Sequence, residues 1–110
     1  MAANEAAAIS TLSTIFSAQT AYQATRGGGS YGTLKQLADA QLIDARLGGG
    51  EKNGYKFDVK ITSDKFCEIV ATPVHYGITG QNSFYLNSSD GVIRRADKQG
   101  AEATATDPPV

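Results

Sequence analysis

Hydrophobic residues recur at spacings of three and four over residues 2–25, and neither glycine nor proline interrupts them. This spacing predicts one long helix over 2–25 with a single apolar stripe. Such a stripe must be buried against another element, because neither a half-apolar helix nor a half-apolar sheet can bury its own face. We therefore expect the stripe to pack on a sheet through Ile9, Leu12, Ile15, Phe16 and Tyr22.

The opposite side of the predicted helix is small and uncharged. No residue from Ala6 to Thr25 carries a charge, and this side also includes Thr11, Ser13, Ala18 and Ala24. A surface helix ordinarily exposes Lys, Glu and Arg, whereas small residues let a second helix approach closely. Two interpretations stay open: a weakly solvated surface helix, or an assembly face formed by Ala7, Ser10, Thr14, Ser17 and Ala21.

Residues 26–54 are predicted to connect the helix to the sheet. Gly27–Gly29 end the long helix, because glycine readily takes the left-handed conformation that closes a helix. Thr33 is a helix-capping residue type, and Leu34, Leu37, Ala38 and Leu42 follow it at helical spacing. We expect one short helix here, lying across the sheet edge and ended by Gly48–Gly50.

From Tyr55 the hydrophobic period changes to two, which is typical of strands with one buried face. The pattern predicts strands over 55–61, 66–73, 83–87 and 92–95, paired as two hairpins with turns at Ser63-Asp64 and Asp90-Gly91. The predicted fold class is therefore α+β. A single domain, 1–110, has its long helix packed on a four-stranded antiparallel sheet over 55–95, followed by an irregular, partly mobile tail over 96–110.

Composition excludes several classes of protein. The formal net charge is −1 and 19% of residues are charged, which does not favour an electrostatic nucleic-acid binder. Cys67, the single cysteine, allows neither an intramolecular disulfide nor a multi-cysteine zinc site. The sequence has no apolar run long enough for a membrane span. However, Met1 followed directly by Ala2–Ala8 is typical of a helix entered midway, so we expect a truncated soluble form of a longer protein.

Motifs that resemble enzyme or cofactor sites have weak contexts. Gly27, Gly29 and Gly32 fit the dinucleotide pattern G-x-G-x-x-G, yet they follow a helix instead of a strand. His75 is the single histidine and lacks an evident catalytic partner. Cys67 lies in an apolar strand, where an inert buried thiol is the usual case. We expect no enzymatic activity, no cofactor and no metal.

Three further features are candidate interaction sites. Four acidic residues could bind calcium if the tail folds back: Asp90, Asp97, Glu102 and Asp107. We prefer the interpretation that they are separate, solvated side chains. A small basic cluster could contact phosphates, including those of DNA, through Arg94, Arg95 and Lys98. Asn87-Ser88-Ser89 matches a glycosylation sequon.

Short motifs along nearly the full chain carry a family resemblance. They are Ala2–Ala6, Ala18–Tyr22, Ser30–Leu34, Gly54–Phe57, Ala71–Pro73, Phe84-Tyr85 and Asp107–Pro109. With these motifs the chain resembles the globular domain of type IV pilins and type II secretion pseudopilins. The resemblance implies that the helix continues N-terminally into an apolar segment, which anchors the subunit in the bacterial inner membrane and later forms the filament core. The family's glutamate near the mature N-terminus belongs to that segment, so Glu5 is not its counterpart.

The resemblance implies a structural subunit of an extracellular type IV pilus filament. Its partners would be other copies of itself in a helical filament, the pilus assembly machinery and the inner membrane, while the truncated form would be monomeric. The lone Cys67 cannot form the C-terminal disulfide of many pilins, and the acids do not match the calcium loop of major pseudopilins. We prefer a pilin over a pseudopilin, and a free-standing adhesive or ligand-binding module is the other alternative.

Overall fold

The computed structural model describes residues 2–63 and 65–110, and its first element is the long helix α1, Ala2–Ala24. The helix ends one residue earlier than predicted, and turns follow it through the triple glycine. Gly27 donates its backbone N–H to the Tyr22 carbonyl (2.7 Å), and Gly29 donates to the Gln23 carbonyl (2.8 Å). These bonds satisfy carbonyls at the end of the helix.

The described residues form one antiparallel sheet with five strands in sequential order. The strands are β1 (Glu51–Lys52), β2 (Tyr55–Ser63), β3 (Phe66–Pro73), β4 (Ser83–Asn87) and β5 (Arg94–Ala96). The prediction of four strands is therefore wrong by one. A two-residue strand such as β1 is too short to show any period in sequence. The last strand begins at Arg94 instead of Val92, because Val92 donates its N–H to Asp90 Oδ1 in the preceding turn (3.0 Å).

Helix α1 packs on one side of the sheet, where register aligns the row Phe57, Ala71 and Phe84 across three strands. Leu12 and Ile15 of α1 are 0% exposed. The other three residues of the predicted stripe are partly buried and pack around the edge of this core: Ile9, Phe16 and Tyr22. The described part of the chain is thus an α+β fold with the main core between helix and sheet.

The connection between α1 and the sheet contains two short helices where one was predicted: α2, Leu34–Asp39, and α3, Ala45–Gly48. Thr33 caps α2 as expected, accepting a hydrogen bond from the Gln36 N–H (3.1 Å) while the Gln36 side chain accepts one from the Thr33 N–H (2.9 Å). Asp44 starts α3 by accepting from the Leu47 N–H (2.7 Å). Helix α3 contacts β1, the edge strand, whereas the predicted helix α2 packs mainly on α3 and α1, so the expected position at the sheet edge is taken by α3 and not by α2.

Residues 108–110 run antiparallel along the edge of β5, and residues 97–107 lie across the side of the sheet that faces away from α1. We call this side the outer face; register aligns Asp58, Val70, Tyr85 and Arg94 along it. Ala103 is buried against Val70 and Tyr85. The tail has the irregular backbone expected from sequence, but it packs on the sheet and forms a second, smaller apolar cluster.

Candidate functional site

The exposed side of α1 has a uniform chemistry. Ten residues of the helix are exposed, and every one of them is Ala, Ser or Thr. We call this surface the small-residue face; it consists of Ala2, Ala3, Ala6, Ser10, Ser13, Thr14, Ser17, Thr20, Ala21 and Ala24. Such a face offers little apolar area per residue, but it lets another backbone approach closely.

Four of the five residues predicted for assembly lie on this face, whereas Ala7 is half-buried at its border. The placement of two further residues on this side was wrong: Thr11 is 7% exposed and Ala18 is 5% exposed. Both lie within one turn of the buried Ile15, and residues three or four positions apart share a side of a helix. Small side chains are compatible with either environment, so sequence alone did not separate them.

The threonines of the small-residue face have their hydroxyl groups bonded within the helix. Thr14 donates its hydroxyl to the Ser10 carbonyl (3.1 Å), and Thr20 donates to the Phe16 carbonyl (3.2 Å). Removing water from a hydroxyl costs less free energy when the hydroxyl already has a hydrogen-bond partner in the protein. These two residues can therefore be covered by a packing partner without leaving a donor unsatisfied.

A shallow groove runs along the small-residue face. One wall is helix α1 from Ser10 to Ala21, and the other wall is Leu42 from the connection between α2 and α3. None of the residues that line the groove is charged. It is open to solvent and suits an elongated neutral partner more than an enclosed small molecule.

The N-terminal end of α1 is bonded to the connection between β3 and β4, residues 74–82. Glu5 Oε2 accepts the Gln81 N–H (2.9 Å) and the Asn82 N–H (3.3 Å), and Glu5 Oε1 accepts from Asn82 Nδ2 (3.0 Å). Asn4 Nδ2 donates to the Thr79 carbonyl (3.0 Å). Local sequence does not predict these contacts, because the partners of Asn4 and Glu5 lie 75 to 77 residues further along the chain.

These contacts set the ionisation of Glu5. Partial burial raises the pKa of its carboxyl, but the hydrogen bonds from Asn82 and Gln81 and the nearby charge of Arg95 outweigh burial, and the net pKa is lowered. The neighbouring Tyr55 is buried and donates its hydroxyl to the Asn82 carbonyl (2.6 Å). Burial, together with the negative charge of Glu5, raises the pKa of this phenol. The charged carboxylate therefore holds residues 81 and 82 against α1.

The glycine motif serves packing in this fold. A side chain at Gly27 or Gly32 would approach the ring of Tyr22 within 2.7 Å and 2.9 Å, closer than atoms can lie. The buried Gln19 side chain donates to the Gly32 carbonyl (2.7 Å) and accepts the Gly32 N–H (2.9 Å). These glycines bring the loop onto α1, and the contacts give no reason to assign them to phosphate.

Cys67 and His75 are not brought together. Cys67 is fully buried, and burial raises the pKa of its thiol to about 11, against a weaker opposing hydrogen bond from Ser88. His75 is exposed in the connection after β3. Seven residues separate them, most of them in a strand that rises about 3.3 Å per residue, so Cys67 lies near the start of β3 and His75 lies beyond its end.

The four acidic candidates have separate partners. Asp90 pairs with Arg94 (3.1 Å), Asp107 pairs with Lys98 (2.9 Å), and Glu102 pairs with Lys60. Asp97 accepts hydrogen bonds from the Tyr76 hydroxyl (2.8 Å) and from Gln81 Nε2 (3.0 Å). Within residues 2–63 and 65–110, no three His, Cys, Asp or Glu side chains are grouped as metal ligands.

The same pairs occupy most of the basic cluster. Arg94 also donates through Nη1 to the Asp107 carbonyl (3.0 Å), and Lys98 pairs with the Asp107 carboxylate. The sequon residue Asn87 is buried, and its Oδ1 accepts the N–H groups of Ser89 and Asp90 (2.9 and 3.1 Å). A phosphate bound at the basic cluster would have to compete with the ion pairs of Arg94 and Lys98. A glycan on Asn87 would require its side chain to give up the hydrogen bonds to Ser89 and Asp90.

No helix in the described part of the chain is long and apolar enough to span a bilayer. Comparisons of the chain with protein-family models, with curated proteins and with solved structures found no match.

Proposed function

We propose that this chain is the globular part of a structural subunit of an extracellular filament of the type IV pilin kind, in which copies pack through the small-residue face. The observation that carries the proposal is that all ten exposed residues of α1 are Ala, Ser or Thr. A helix surface without charges is poorly suited to solvent and well suited to close helix packing. The short motifs shared with pilins and pseudopilins are a second, independent support.

In this proposal each surface of the fold has a defined role. Helix α1 supplies contacts between subunits through its small-residue face, and its apolar side holds the sheet. An apolar segment upstream of Ala2 would anchor the subunit in the bacterial inner membrane before assembly and would form the filament core afterwards. The sheet, the connection over 74–82 and the tail would make the exposed filament surface.

The first test concerns the coding sequence upstream of Ala2. The proposal requires an apolar stretch of about twenty residues there, because that length is needed to cross a bilayer as a helix. A native start codon at Met1 would remove the segment on which filament assembly depends. In that case the free-standing binding module would become the better hypothesis.

The second test concerns the small-residue face. Ser17→Lys in the full-length protein places a charge at an exposed position on this face. We expect no filaments by electron microscopy of the cell surface, because the charge would have to be desolvated between subunits. Thr62→Lys introduces the same side chain at an exposed position of β2 and is the matched control. Normal filaments with Ser17→Lys would contradict the proposed face.

A further inference from the structure

The four asparagines of this chain differ in how tightly their side chains are held. Asn4 Nδ2 donates to the Thr79 carbonyl and Asn82 Nδ2 donates to Glu5, each at 3.0 Å. Asn87 is buried, and its Nδ2 donates to the Tyr85 hydroxyl (3.3 Å). Asn53 is exposed, and its carboxamide has no hydrogen-bond partner among residues 2–63 and 65–110. Asn53 is also the one asparagine in the sequence that precedes a glycine.

Asn53 and Gly54 form the two-residue turn that joins β1 to β2, between the paired residues Lys52 and Tyr55. Both take left-handed backbone conformations, with φ values of 53° and 79°, which is the usual backbone of an Asn-Gly hairpin turn. The Gly54 carbonyl accepts the Val74 N–H (2.9 Å). The Gly54 N–H has no partner in the described part of the chain, so its nitrogen is not engaged in a bond that an attack would have to break.

We propose that Asn53 is a site of spontaneous deamidation. The backbone nitrogen of Gly54 loses its proton to solvent base and attacks Cγ of Asn53, forming a C–N bond. The bond from Cγ to the side-chain nitrogen breaks, and that nitrogen leaves as ammonia. The resulting five-membered succinimide is hydrolysed by water at either carbonyl. One product has aspartate at this position; the other has isoaspartate, in which the chain continues through the former side-chain carboxyl.

Both products change the turn in a definite way. Each adds one negative charge to a chain whose formal net charge is −1. Isoaspartate also adds a methylene group to the backbone of a two-residue turn, which changes the register between β1 and β2. Gly54 lies against Thr79 and Asn4, where even a Cβ atom would approach Thr79 within 2.7 Å. The isoaspartate form therefore disturbs the contact of this turn with the N-terminal end of α1.

The test is to incubate the native protein at mildly alkaline pH and to follow each asparagine by peptide mapping. We expect the peptide that contains Asn53 to accumulate aspartate and isoaspartate at least about tenfold faster than those with Asn4, Asn82 or Asn87, since their side chains must first break a hydrogen bond. Isoaspartate is identified by methylation with an isoaspartate-specific methyltransferase. Equal rates at all four asparagines would overturn the proposal.

A substituted chain shows whether the acidic form arises at Asn53 or from other slow modifications of the protein. Asn53→Gln lengthens the side chain by one methylene and makes ring closure by Gly54 unfavourable; Gln41 and Gln99 already take similar left-handed conformations, with φ values of 63° and 54°. We expect this variant to lose the acidic form that wild type develops on ion exchange. An unchanged acidic form in Asn53→Gln would contradict the proposal. So would a wild-type Asn53 that reacts only after the chain has been denatured.

Discussion

Two exposed surfaces of this molecule have opposite chemistry: the small-residue face of α1 and the outer face of the sheet with its tail. The first has no charged residue among ten exposed positions. The second exposes Lys56, Asp58, Lys60 and Glu102, and Lys60 and Glu102 form an ion pair. The chain contains ten Lys plus Arg and eleven Asp plus Glu. The neutrality of α1 is therefore a local property and does not follow from a shortage of charges.

The difference separates surfaces that suit water from surfaces that suit a partner. Exposed charges keep a protein soluble, and removing water from them is costly. The small-residue face avoids this cost, since its side chains are neutral and the hydroxyls of Thr14 and Thr20 are bonded within the helix. The two surfaces lie on opposite sides of the sheet, so one copy can use both at once.

The largest expected effect compares the two sides of α1 directly. Leu12 is fully buried, and Leu12→Ala should lower the free energy of unfolding by about 2–5 kcal/mol, because it leaves a cavity between helix and sheet. Ser13, the next residue, is exposed. Ser13→Ala should change stability by less than about 0.5 kcal/mol, and in the stabilising direction, because alanine is the better helix former. Urea denaturation measures both, and equal losses would contradict the assigned orientation of α1.

The next effect concerns the end of α1 where it contacts the sheet connection. Glu5→Ala removes the acceptor for two N–H groups and one amide, and we expect a loss of about 1–2 kcal/mol. Hydrogen exchange should become faster at the amides of Gln81 and Asn82. Glu51→Ala, at an exposed glutamate in β1, is the control and should leave these amides unchanged. Unchanged exchange in Glu5→Ala would show that the carboxylate does not hold residues 81 and 82.

The same carboxylate gives a pH dependence with a definite sign. The folded-state pKa of Glu5 is lowered from its ordinary value of 4.5. A lowered pKa stabilises the fold at pH values above the unfolded-state pKa, and this contribution is lost as the pH falls through the folded-state pKa. The difference in unfolding free energy between wild type and Glu5→Ala should therefore be constant near neutral pH and shrink below about pH 4.5. A difference that grows on acidification would contradict this sign.

A smaller effect is expected at the tail. Asp107 pairs with Lys98 (2.9 Å) and accepts the Thr104 N–H (2.7 Å), and the ion pair with Lys98 lowers the pKa of its carboxyl. Asp107→Asn should lower stability by about 1 kcal/mol, because the ion pair is lost while an amide oxygen can still accept from Thr104. Limited proteolysis within residues 104–110 should become faster. Asp58→Asn on the outer face is the control, and equal proteolysis of the two variants would contradict the role of Asp107.

Sequence patterns predicted the strands that are long enough to show a period, although β2 continues to Ser63, two residues past its predicted end and into the predicted turn. The other predicted turn residue, Asp64, lies outside the described residues. Strands β3 and β4 have the predicted bounds, since Pro73 ends one and a Ser-Ser-Asp-Gly turn follows the other. Strand β1 was missed because two residues have no period. The composition of the tail, rich in Ala, Thr and Asp, predicts an irregular and partly mobile segment. Its packing of Ala103 against Val70 and Tyr85 is a tertiary contact that no local pattern contains.

The position of the small-residue face on α1 was predictable from sequence, but its border was not. The absence of charge over residues 6–25 indicated the exposed side of α1, and Ser10, Thr14, Ser17 and Ala21 lie there. The border of the site was not predictable, because alanine and threonine occur both exposed and buried. The role of Glu5 was missed for another reason: its partners lie 76 and 77 residues further along the chain.

The smallest expected effect is that of a charge on the small-residue face, and it separates folding from assembly. Ser17→Lys in the 110-residue chain should change the free energy of unfolding by less than about 0.5 kcal/mol, since the side chain points to solvent and lysine is a good helix former. Ala18→Lys, one residue away at a buried position, should destabilise the fold strongly by burying a charge. Thermal unfolding of the two variants, each compared with wild type, measures this difference. If Ser17→Lys were as unstable as Ala18→Lys, the small-residue face would be part of the core. A loss of filaments in Ser17→Lys would then result from misfolding and not from a broken contact between subunits.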